Sequence, residues 1–460
     1  MESGLRRAAL VLLVLAASLS VTLPVLGAGA DEGAQPQKPV VCEVCNFKER
    51  FNSLIPGMTF GADLSLRGIY DEALRLDQNA RGHDRFWSRY RGRVWTKISP
   101  IDNINFNIRL VSEPRLYCRP DTFEDQTIRQ EALFDKMNVE WTKALGLPLT
   151  IKAGRQDLKF GNGWLVIEGT PRDGTRSFFF DALRATWDAK CVNTTFDLVA
   201  LSNHANSSWW IRPFNDRDLD LIEHDECGII LYASNKTLER ATIDGYFMYK
   251  HDDRSLPNGN SGELYTFGAR VAGECGTHWK YRAEAAPQFG HKNGTSVCAF
   301  GADSQLEYYL RDKLNNSFRG GFEFRSGESD PDGCFDILWG RFPHWSNIFN
   351  DYLGGLEFLA SQPSNYYRLG LGWSFDPIDR LTFSADYHIL FAHHNPMSGA
   401  AGFSGDGKFR GQLLAATVNH TLNEHVNSQV KFETFFPGDY YDQSRNDVAV
   451  FARYQIMFSW

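Results

Sequence analysis

Apolar and polar residues alternate with a period of two along most of this chain after Met58. The segment from Asn103 to Leu110 is the clearest case, because every even-numbered position is apolar and every odd-numbered position is polar. A period of two is typical of β-strands, in which successive side chains point to opposite faces of the sheet. Helical periodicity is scarce. The pattern therefore predicts a protein built almost entirely of β-strands.

Segments with this alternation recur along the chain and are separated by turn-forming residues. Each is about ten residues long or more, enough for a tilted strand to cross the hydrocarbon core of a membrane. Their number, about eighteen, is even, as in bacterial single-chain barrels. The predicted strands are 58–70, 85–98, 103–112, 134–144, 149–156, 181–189, 192–201, 226–234, 241–251, 262–273, 277–287, 297–312, 317–326, 365–375, 380–391, 409–422, 426–436 and 448–460.

The connections between the predicted strands fall into two groups by length. Short turns follow even-numbered strands, as at 188–191, 274–276, 376–379 and 423–425. Long connections follow odd-numbered strands, at 71–84, 113–133, 157–180, 202–225, 252–261, 327–364, 392–408 and 437–447. Transmembrane barrels have short periplasmic turns and long extracellular loops, which is this arrangement. The segment Tyr352–Ala360 resembles a further strand, but it would break the parity, so we assign it to loop 327–364 as a lid.

The two ends of the sequence support export to the outer membrane. Arg6 and Arg7 precede an apolar run, and the small residues Ala28-Gly29-Ala30 follow it, which predicts a signal peptide at 1–30 with cleavage after Ala30. We interpret 31–57 as a polar periplasmic extension and 58–460 as the barrel. The last strand ends on the aromatic Trp460, which resembles the insertion signal of outer-membrane barrels.

Composition helps to separate a membrane barrel from a secreted soluble β-protein. The mean hydropathy of −0.36 is typical of soluble proteins, but barrels also have low hydropathy because lipid-facing and lumen-facing residues alternate. Aromatic residues make up 14% of the chain, and 40 glycines separate its short alternating runs, which favours the barrel. The net charge of −8 argues against a nucleic-acid partner.

The alternation also assigns charged side chains to the interior of the predicted barrel. Charge on the lipid-facing surface costs several kcal/mol at the bilayer midplane, so central charged positions should face inward. More basic than acidic residues fall on this inward face, and rings of arginine and lysine make a pore prefer anions. The alternative is that these charges pair across strands and only fill a wet interior. The predicted pore-lining residues include Arg67, Arg89, Arg91, Arg93, Arg109, Lys152, Arg184, Arg270, Arg282, Arg319, Arg368 and Arg453.

Arg155 does not fit the simple alternation. Counting from Ile151 and Ala153, it should point toward lipid. A β-bulge at Gly154 would turn it inward, and we include it among the pore-lining candidates on that expectation.

The eight cysteines should lie in an oxidising compartment, where disulfides are the usual outcome. Loop parity places Cys118, Cys227, Cys298 and Cys334 at the outer end, where they can pair only with one another in three ways. Cys191 and Cys275 are too far apart along the periplasmic rim to bond without distortion. They are then free or paired with the periplasmic extension. Cys42 and Cys45 are expected to form a local disulfide.

We find no sequence pattern for catalysis or for a resident cofactor or metal. No serine–histidine–acid spacing, phosphate-binding loop or HExxH motif occurs. The pair His393-His394 lies in an outer loop and is interpreted as an ordinary surface feature. We therefore expect a protein that is not an enzyme and that uses no cofactor.

Two segments resemble the alginate-export family of outer-membrane channels. The first is Ala153-Gly154-Arg155-Gln156-Asp157-Leu158-Lys159-Phe160-Gly161, continuing to Phe179-Phe180-Asp181-Ala182-Leu183-Arg184. The second runs from Phe335-Asp336 through Asp351 to Asp386-Tyr387-His388. The resemblance implies an eighteen-strand barrel, passive export of an anionic polysaccharide, loops that act as lids, and an arginine-rich constriction with Arg155, Asp181 and Arg184 at or near it. The eight cysteines and the Phe335–Trp339 stretch depart from the family pattern.

These observations predict a passive channel in the cell outer membrane that exports an alginate-like anionic polysaccharide. The alternative is a porin for small anions or oligosaccharides. A barrel-embedded enzyme is a third reading, disfavoured by the missing nucleophile–base pair. The expected partners are the anionic polysaccharide or small anions, outer-membrane lipid and periplasmic export components.

Overall fold

A computed structural model gives the fold of the chain. It describes residues 49–53, 55–80, 83–119, 127–128, 132–167, 179–205, 214, 222, 224–257, 259–340, 345–349 and 363–460. The predicted signal peptide, Cys42, Cys45 and the segment Tyr352–Ala360 lie outside these residues. No helix in the described part of the chain is long and apolar enough to cross a membrane.

The described residues form a single sheet of twenty strands. The strands are β1 (Met58–Glu72), β2 (Asp84–Ile101), β3 (Ile104–Ser112), β4 (Arg115–Arg119), β5 (Thr127–Ile128), β6 (Ala132–Trp141), β7 (Leu149–Gln156), β8 (Phe180–Ala189), β9 (Thr194–Asn203), β10 (Asp225–Asn235), β11 (Ala241–Asp253), β12 (Gly262–Cys275), β13 (Trp279–Lys292), β14 (Thr295–Tyr309), β15 (Ser317–Arg325), β16 (Tyr366–Ile378), β17 (Leu381–Ala392), β18 (Phe409–Thr421), β19 (Val426–Pro437) and β20 (Ala449–Ser459).

The sheet closes into an antiparallel barrel of eighteen positions, as the sequence predicted. Both β3 and β4 pair with β2 and together occupy one position, while β5 and β6 share the next. The last strand pairs with the first, from Asp63 opposite Ser459 to Glu72 opposite Val450. Closure leaves no unpaired sheet edge, so the backbone polar groups of every wall strand are satisfied by neighbours.

The alternation along each strand separates an apolar outer wall from a polar interior. On β1, Leu64 is 42% exposed, whereas Ser65 and Arg67 on the opposite face are 1% and 5% exposed. The outer face of the barrel carries most of the exposed large apolar side chains. Examples on the wall are Val94, Phe106, Val139, Leu183, Leu198, Leu231, Phe267, Phe322, Leu371 and Leu414.

The connections alternate in length as expected, with one exception. The turns at one end are short, such as Asp102-Asn103 between β2 and β3 and Asp379-Arg380 between β16 and β17. At the other end, β13 and β14 are joined by the two residues Asn293-Gly294 instead of a long loop. Both have positive φ, 50° and 88°, as a type I′ hairpin turn requires. At this end, β13 and β14 therefore extend further than the predicted strands 277–287 and 297–312.

Three chain segments fold into the barrel interior. They are Asp157–Ile167, Cys334–Gly340 and Trp345–Phe349, and a bridge between Val166 and Trp339 joins the first two. Trp339 is completely buried and belongs to an apolar cluster with inward-facing wall residues. Gly228 of β10 makes room for it, because a Cβ there would stand 2.5 Å from the Trp339 ring. The interior is therefore partly filled by protein.

The expected pairing of the outer cysteines does not occur. Among the described residues, Cys118, Cys191, Cys227, Cys275 and Cys298 are free thiols. The outer-end cysteines of β4, β10 and β14 lie on the exposed wall, and several strands separate each of these from the next along the barrel. Cys334 is buried within an inserted segment. The loop lengths therefore predicted the end of the barrel at which these four cysteines lie, but not their distances from one another.

Candidate functional site: the charged interior

A cavity of about 540 Å³ lies between the inserted segments and the inner faces of β13–β19. It contains three of the predicted pore-lining arginines, Arg282, Arg319 and Arg368. Six basic and three acidic side chains line it, so the charges do not balance. The charged lining residues are Lys159, Arg282, Arg319, Arg325, Arg368 and Lys431, with Asp303, Glu323 and Asp386.

Glu323 of β15 is the centre of the hydrogen bonds around this cavity. Its carboxylate accepts from Arg325 at 2.8 Å and from Arg368 at 3.3 Å. The indole nitrogens of Trp164 and Trp345 also donate to it, at 3.1 and 2.9 Å. These two tryptophans belong to two different inserted segments, so one buried carboxylate links both segments to the wall.

The other two cavity arginines are held by carboxylates on other strands of the wall. Arg319 makes two parallel bonds to Asp386, of 2.8 and 2.6 Å. Arg282 bonds to Asp303 and donates to Gln305 at 3.0 Å. A bidentate pair fixes the guanidinium plane as well as its position, so these groups are rigid features of the cavity wall.

A second group of predicted residues lies on the inner faces of β1, β2 and β20. Arg89 contacts Glu113 at 2.5 Å, and Arg93 bonds to Asp63. Arg91 lies between them and is 3% exposed. Its Nε and Nη1 atoms have no hydrogen-bond partner among the described residues. Arg67 lies opposite Arg89 on β1, and Arg453 bonds to Gln429.

Four further predicted basic residues pair with carboxylates around β3–β12. The interior of a barrel is a poor solvent for an isolated charge, so each of these residues is placed beside an acid. The pairs are Arg109 with Asp135 at 2.7 Å and Asp157 at 2.9 Å, Lys152 with Glu140 at 2.6 Å, Arg184 with Asp197 at 2.7 Å, and Arg270 with Asp244 at 2.7 Å.

The bulge expected at Gly154 is absent. The register of β7 with β8 runs without a shift from Leu149 to Gln156, and it pairs Arg155 with Asp181. Alternation therefore places both residues on the outward side with Ala153, away from the side of Lys152 and Arg184. Arg155 is nevertheless only 3% exposed. It is covered by the Phe179 ring at 3.6 Å and bonded to Asp181 at 2.9 and 3.0 Å.

Pairing inside the barrel is more extensive than the sequence suggested. At least ten of the thirteen predicted basic residues have a carboxylate partner within 4.0 Å. The alternative of cross-strand pairing therefore accounts for most of these residues, because the strands also supply acidic residues in register. The basic surplus is instead local, at Arg91 and around the cavity.

Two buried carboxylates anchor the long loop between β15 and β16 inside the barrel. Glu433 of β19 accepts from the backbone nitrogens of Asn347 and Ile348, at 2.9 and 3.0 Å, and from the Ser346 hydroxyl. Asp336 bonds to Lys292 at 3.1 Å, and its backbone makes two bonds with Gln288. Burial would raise the pKa of Asp336, but Lys250 and Lys292 outweigh it and hold that pKa below its ordinary value.

One group in the described residues has the spacing of metal ligands, but its surroundings suit an ion pair better. His224 Nε2 lies 3.1 Å from Asp252 and 3.5 Å from Glu226. Lys250 already supplies a cation there, 3.0 Å from Asp252. His224 Nε2 faces both carboxylates, so a protonated imidazole joins Lys250 in balancing their charge.

Sequence reasoning missed the residues that reach the interior from loops. Trp164, Trp345 and Lys159 line the cavity, and none of them lies on a predicted strand. Lys431 and Glu433 lie on a predicted strand, but nothing in their local pattern indicated a loop partner. The only available signal was the density of aromatic residues in 157–167 and 334–349, which is unusual for exposed loops.

Comparisons with known proteins agree with this architecture. Residues 58–454 match the family model described as alginate export. Among solved structures, Acinetobacter baumannii OccAB2 is similar with a TM-score of 0.57 at 10% identity, covering 87% of this chain and 98% of that one. Pseudomonas aeruginosa OccK2, solved in complex with glucuronate, has a TM-score of 0.54 at 11% identity, covering 87% and 97%. Pseudomonas aeruginosa OpdK, solved with vanillate, has a TM-score of 0.54 at 10% identity, covering 87% and 99%. No curated protein matches the chain.

Proposed function

The chain belongs to the alginate-export family and is a channel of the outer membrane, and we propose that it passively exports an alginate-like anionic polysaccharide. The observation that carries this proposal is the surplus of basic over acidic side chains around the interior cavity. A uronate polymer presents a carboxylate on every sugar, and guanidinium groups are the side chains best shaped to bind carboxylates.

The ion pairs on the wall suit transport better than free arginines would. A channel must attract its substrate strongly enough for entry and bind it weakly enough for release. Arg319 and Arg282 each keep a wall carboxylate beside them, so a polymer carboxylate has to share the guanidinium with that partner. Each contact is then weak, so the polymer can be released from one arginine and bind the next.

Aromatic rings in the cavity are consistent with a sugar substrate. Trp164 and Trp345 both line it, and Arg368 lies over the Trp345 ring at 5.1 Å. Indole rings present flat apolar surfaces together with a polar N–H group. The combination of aromatic faces and arginines fits a chain of charged sugars.

A porin for small anions is the second candidate, favoured by one observation. The cavity of about 540 Å³ is the size of a small-ligand pocket. Two barrels of similar fold were solved with glucuronate and with vanillate, which are single carboxylates. Under this alternative the same arginines would serve one carboxylate at a time.

Block of the channel current by oligosaccharides separates the two candidates. We expect oligouronates of increasing length, added to the periplasmic-turn side of the protein in a planar bilayer, to block more strongly as they lengthen. Neutral oligosaccharides of the same lengths are the matched control and should block weakly. If glucuronate alone blocks as well as the longer oligouronates, the small-anion porin is supported and polymer export is contradicted.

A further inference from the structure

Four chemically reactive side chains lie side by side on the outer wall, across β10–β13. Cys227 is opposite His251, His251 is opposite Glu263, and Glu263 is opposite His291. Residues directly opposite each other on antiparallel strands share a face, with Cβ atoms about 4.5–5.5 Å apart. Cys227, His251 and His291 are exposed, and Glu263 is partly exposed. We call His251, Glu263 and His291 the outer histidine row.

The outer histidine row lies at the water-facing border of the membrane-spanning wall. Tyr249 and Tyr265 lie on the same face, two residues closer to the barrel centre, with ring centroids 5.1 Å apart. Tyrosine pairs of this kind form the aromatic girdle at the interface of outer-membrane barrels. A carboxylate and two imidazoles facing lipid would be strongly unfavourable further in, so their place beyond the girdle puts them among lipid headgroups and water.

We propose that the outer histidine row is a binding site for one divalent transition-metal ion of the Zn²⁺ or Ni²⁺ class. Two imidazoles and a carboxylate are ligands that these ions prefer. The backbones of His251 and His291 are about 10 Å apart, because β12 lies between the strands that carry them. Imidazoles rotated toward each other can therefore share an ion above Glu263, each at about 2.1 Å.

Two hydrogen bonds hold the Glu263 carboxylate in place. The hydroxyl groups of Tyr249 and Tyr265 both donate to its Oε2 atom at 3.3 Å. Bonds of this kind to a ligating carboxylate orient it and tune its affinity for metal. Both bonds use Oε2, which leaves Oε1 to bind the ion. Cys227, opposite His251, offers a thiolate to a softer ion, and water or a lipid phosphate fills the remaining positions.

Zn²⁺ titration of the purified, refolded barrel in detergent tests the proposal. Calorimetry should show one saturable site in the unaltered protein. His251→Ala, His291→Ala and Glu263→Gln should each weaken that site by at least about tenfold, because each removes one of three ligands. The matched control is His420→Ala, because His420 is a partly exposed residue at the short-turn end, opposite Leu381 and Ser428, which are not metal ligands. It should leave the affinity unchanged.

Other variants locate the ion and control for folding. Retained mobility shift on heating in detergent gels shows that a variant still forms the barrel. Co²⁺ absorption spectra should lose their ligand-field bands in the His251→Ala/His291→Ala double variant and change in Cys227→Ser only if the thiolate binds. Binding that survives the double variant, or that is lost in His224→Gln instead, would overturn the proposal. Absence of saturable binding by the unaltered protein would also overturn it. Neither result bears on the channel function.

Discussion

Arg319 of β15 and Asp386 of β17 form a bidentate ion pair that passes over Gly372 of the strand between them. Gly372 is opposite Arg319 on one side and opposite Asp386 on the other. A Cβ at position 372 would collide with both the guanidinium and the carboxylate. The absence of a side chain at Gly372 therefore allows residues on two strands that are not neighbours, β15 and β17, to form an ion pair on the cavity wall.

Removing the Asp386 charge should increase anion selectivity. In Asp386→Asn the cavity loses one of its three carboxylates and Arg319 loses its partner. The basic surplus rises, so the reversal potential in a salt gradient should shift further in the anion-selective direction. Asp379→Asn, in an exposed short turn, is the matched control and should have no effect. Equal shifts in both variants would mean that selectivity is set outside the cavity.

Arg91 and Arg93 should respond differently to substitution by serine. Arg91 has guanidinium atoms without a described hydrogen-bond partner, so Arg91→Ser should lower anion preference with little loss of stability. Arg93→Ser leaves Asp63 buried without its partner, and breaking a buried pair costs about 3–5 kcal/mol. Reversal potentials and urea unfolding of each variant measure the two effects. A stability loss in Arg91→Ser as large as that in Arg93→Ser would show that Arg91 is structurally paired.

Glu433 should control how firmly the inserted segment Trp345–Phe349 is held. Its carboxylate accepts two backbone bonds and one hydroxyl bond from that segment. Glu433→Ala removes these bonds, each contributing about 1 kcal/mol, and should release the segment and raise single-channel conductance. Thr434→Ala, on the same strand, is the control. Unchanged conductance together with normal barrel formation would show that this segment does not obstruct the pathway.

The barrel could be predicted from the sequence because its physics is local. Each strand alternates because its two faces meet different surroundings. The alternation within Asn103–Leu110 therefore shows which of its side chains face outward and which face inward, without information from the rest of the chain. The number eighteen comes from counting these alternating segments, and closure of β1 on β20 removes the unpaired edges that an open sheet would have. The Asn293-Gly294 hairpin shows the limit, because two adjacent strands can simply extend beyond the membrane.

The interior was harder to predict because it depends on contacts between distant segments. Alternation placed Arg319 inward but gave no sign that Asp386 would meet it across Gly372. The inserted Trp339 packs against Gly228, more than one hundred residues earlier in the chain, and neither position carries a local signal for the other. Arg155 shows a different limit, since a glycine with φ of +113° before it did not produce the bulge that its presence suggested.

Labelling of the cysteines should report which end of the barrel faces the periplasm. Cys191 and Cys275 lie at the short-turn end, and Cys334 is buried in an inserted segment. In single-cysteine variants on intact cells, a membrane-impermeant maleimide should label neither turn cysteine until the outer membrane is permeabilised. Cys334 should stay unlabelled until the protein is denatured. Labelling of Cys191 on intact cells would reverse the assigned orientation.

His224 should make the stability of the outer end depend on pH. Burial would lower the pKa of His224, but Asp252 and Glu226 outweigh it and raise that pKa above its ordinary value. Its contribution to stability is therefore complete below the unfolded pKa of about 6.5 and is lost as pH rises through the higher folded value. The difference in unfolding free energy between the unaltered protein and His224→Gln should be larger at about pH 5.5 than at about pH 9, because these values lie below and above the unfolded pKa of about 6.5. A difference independent of pH would show that His224 is neutral throughout.

The most direct test of the central claim is the reversal potential of the unaltered protein in a planar bilayer under a salt gradient. An arginine-rich interior that carries a polyanion predicts a reversal potential of the anion-selective sign, and its size should fall at high salt because screening weakens the wall charges. A cation-selective or non-selective potential at low salt would contradict the account, since the paired carboxylates would then dominate the pathway.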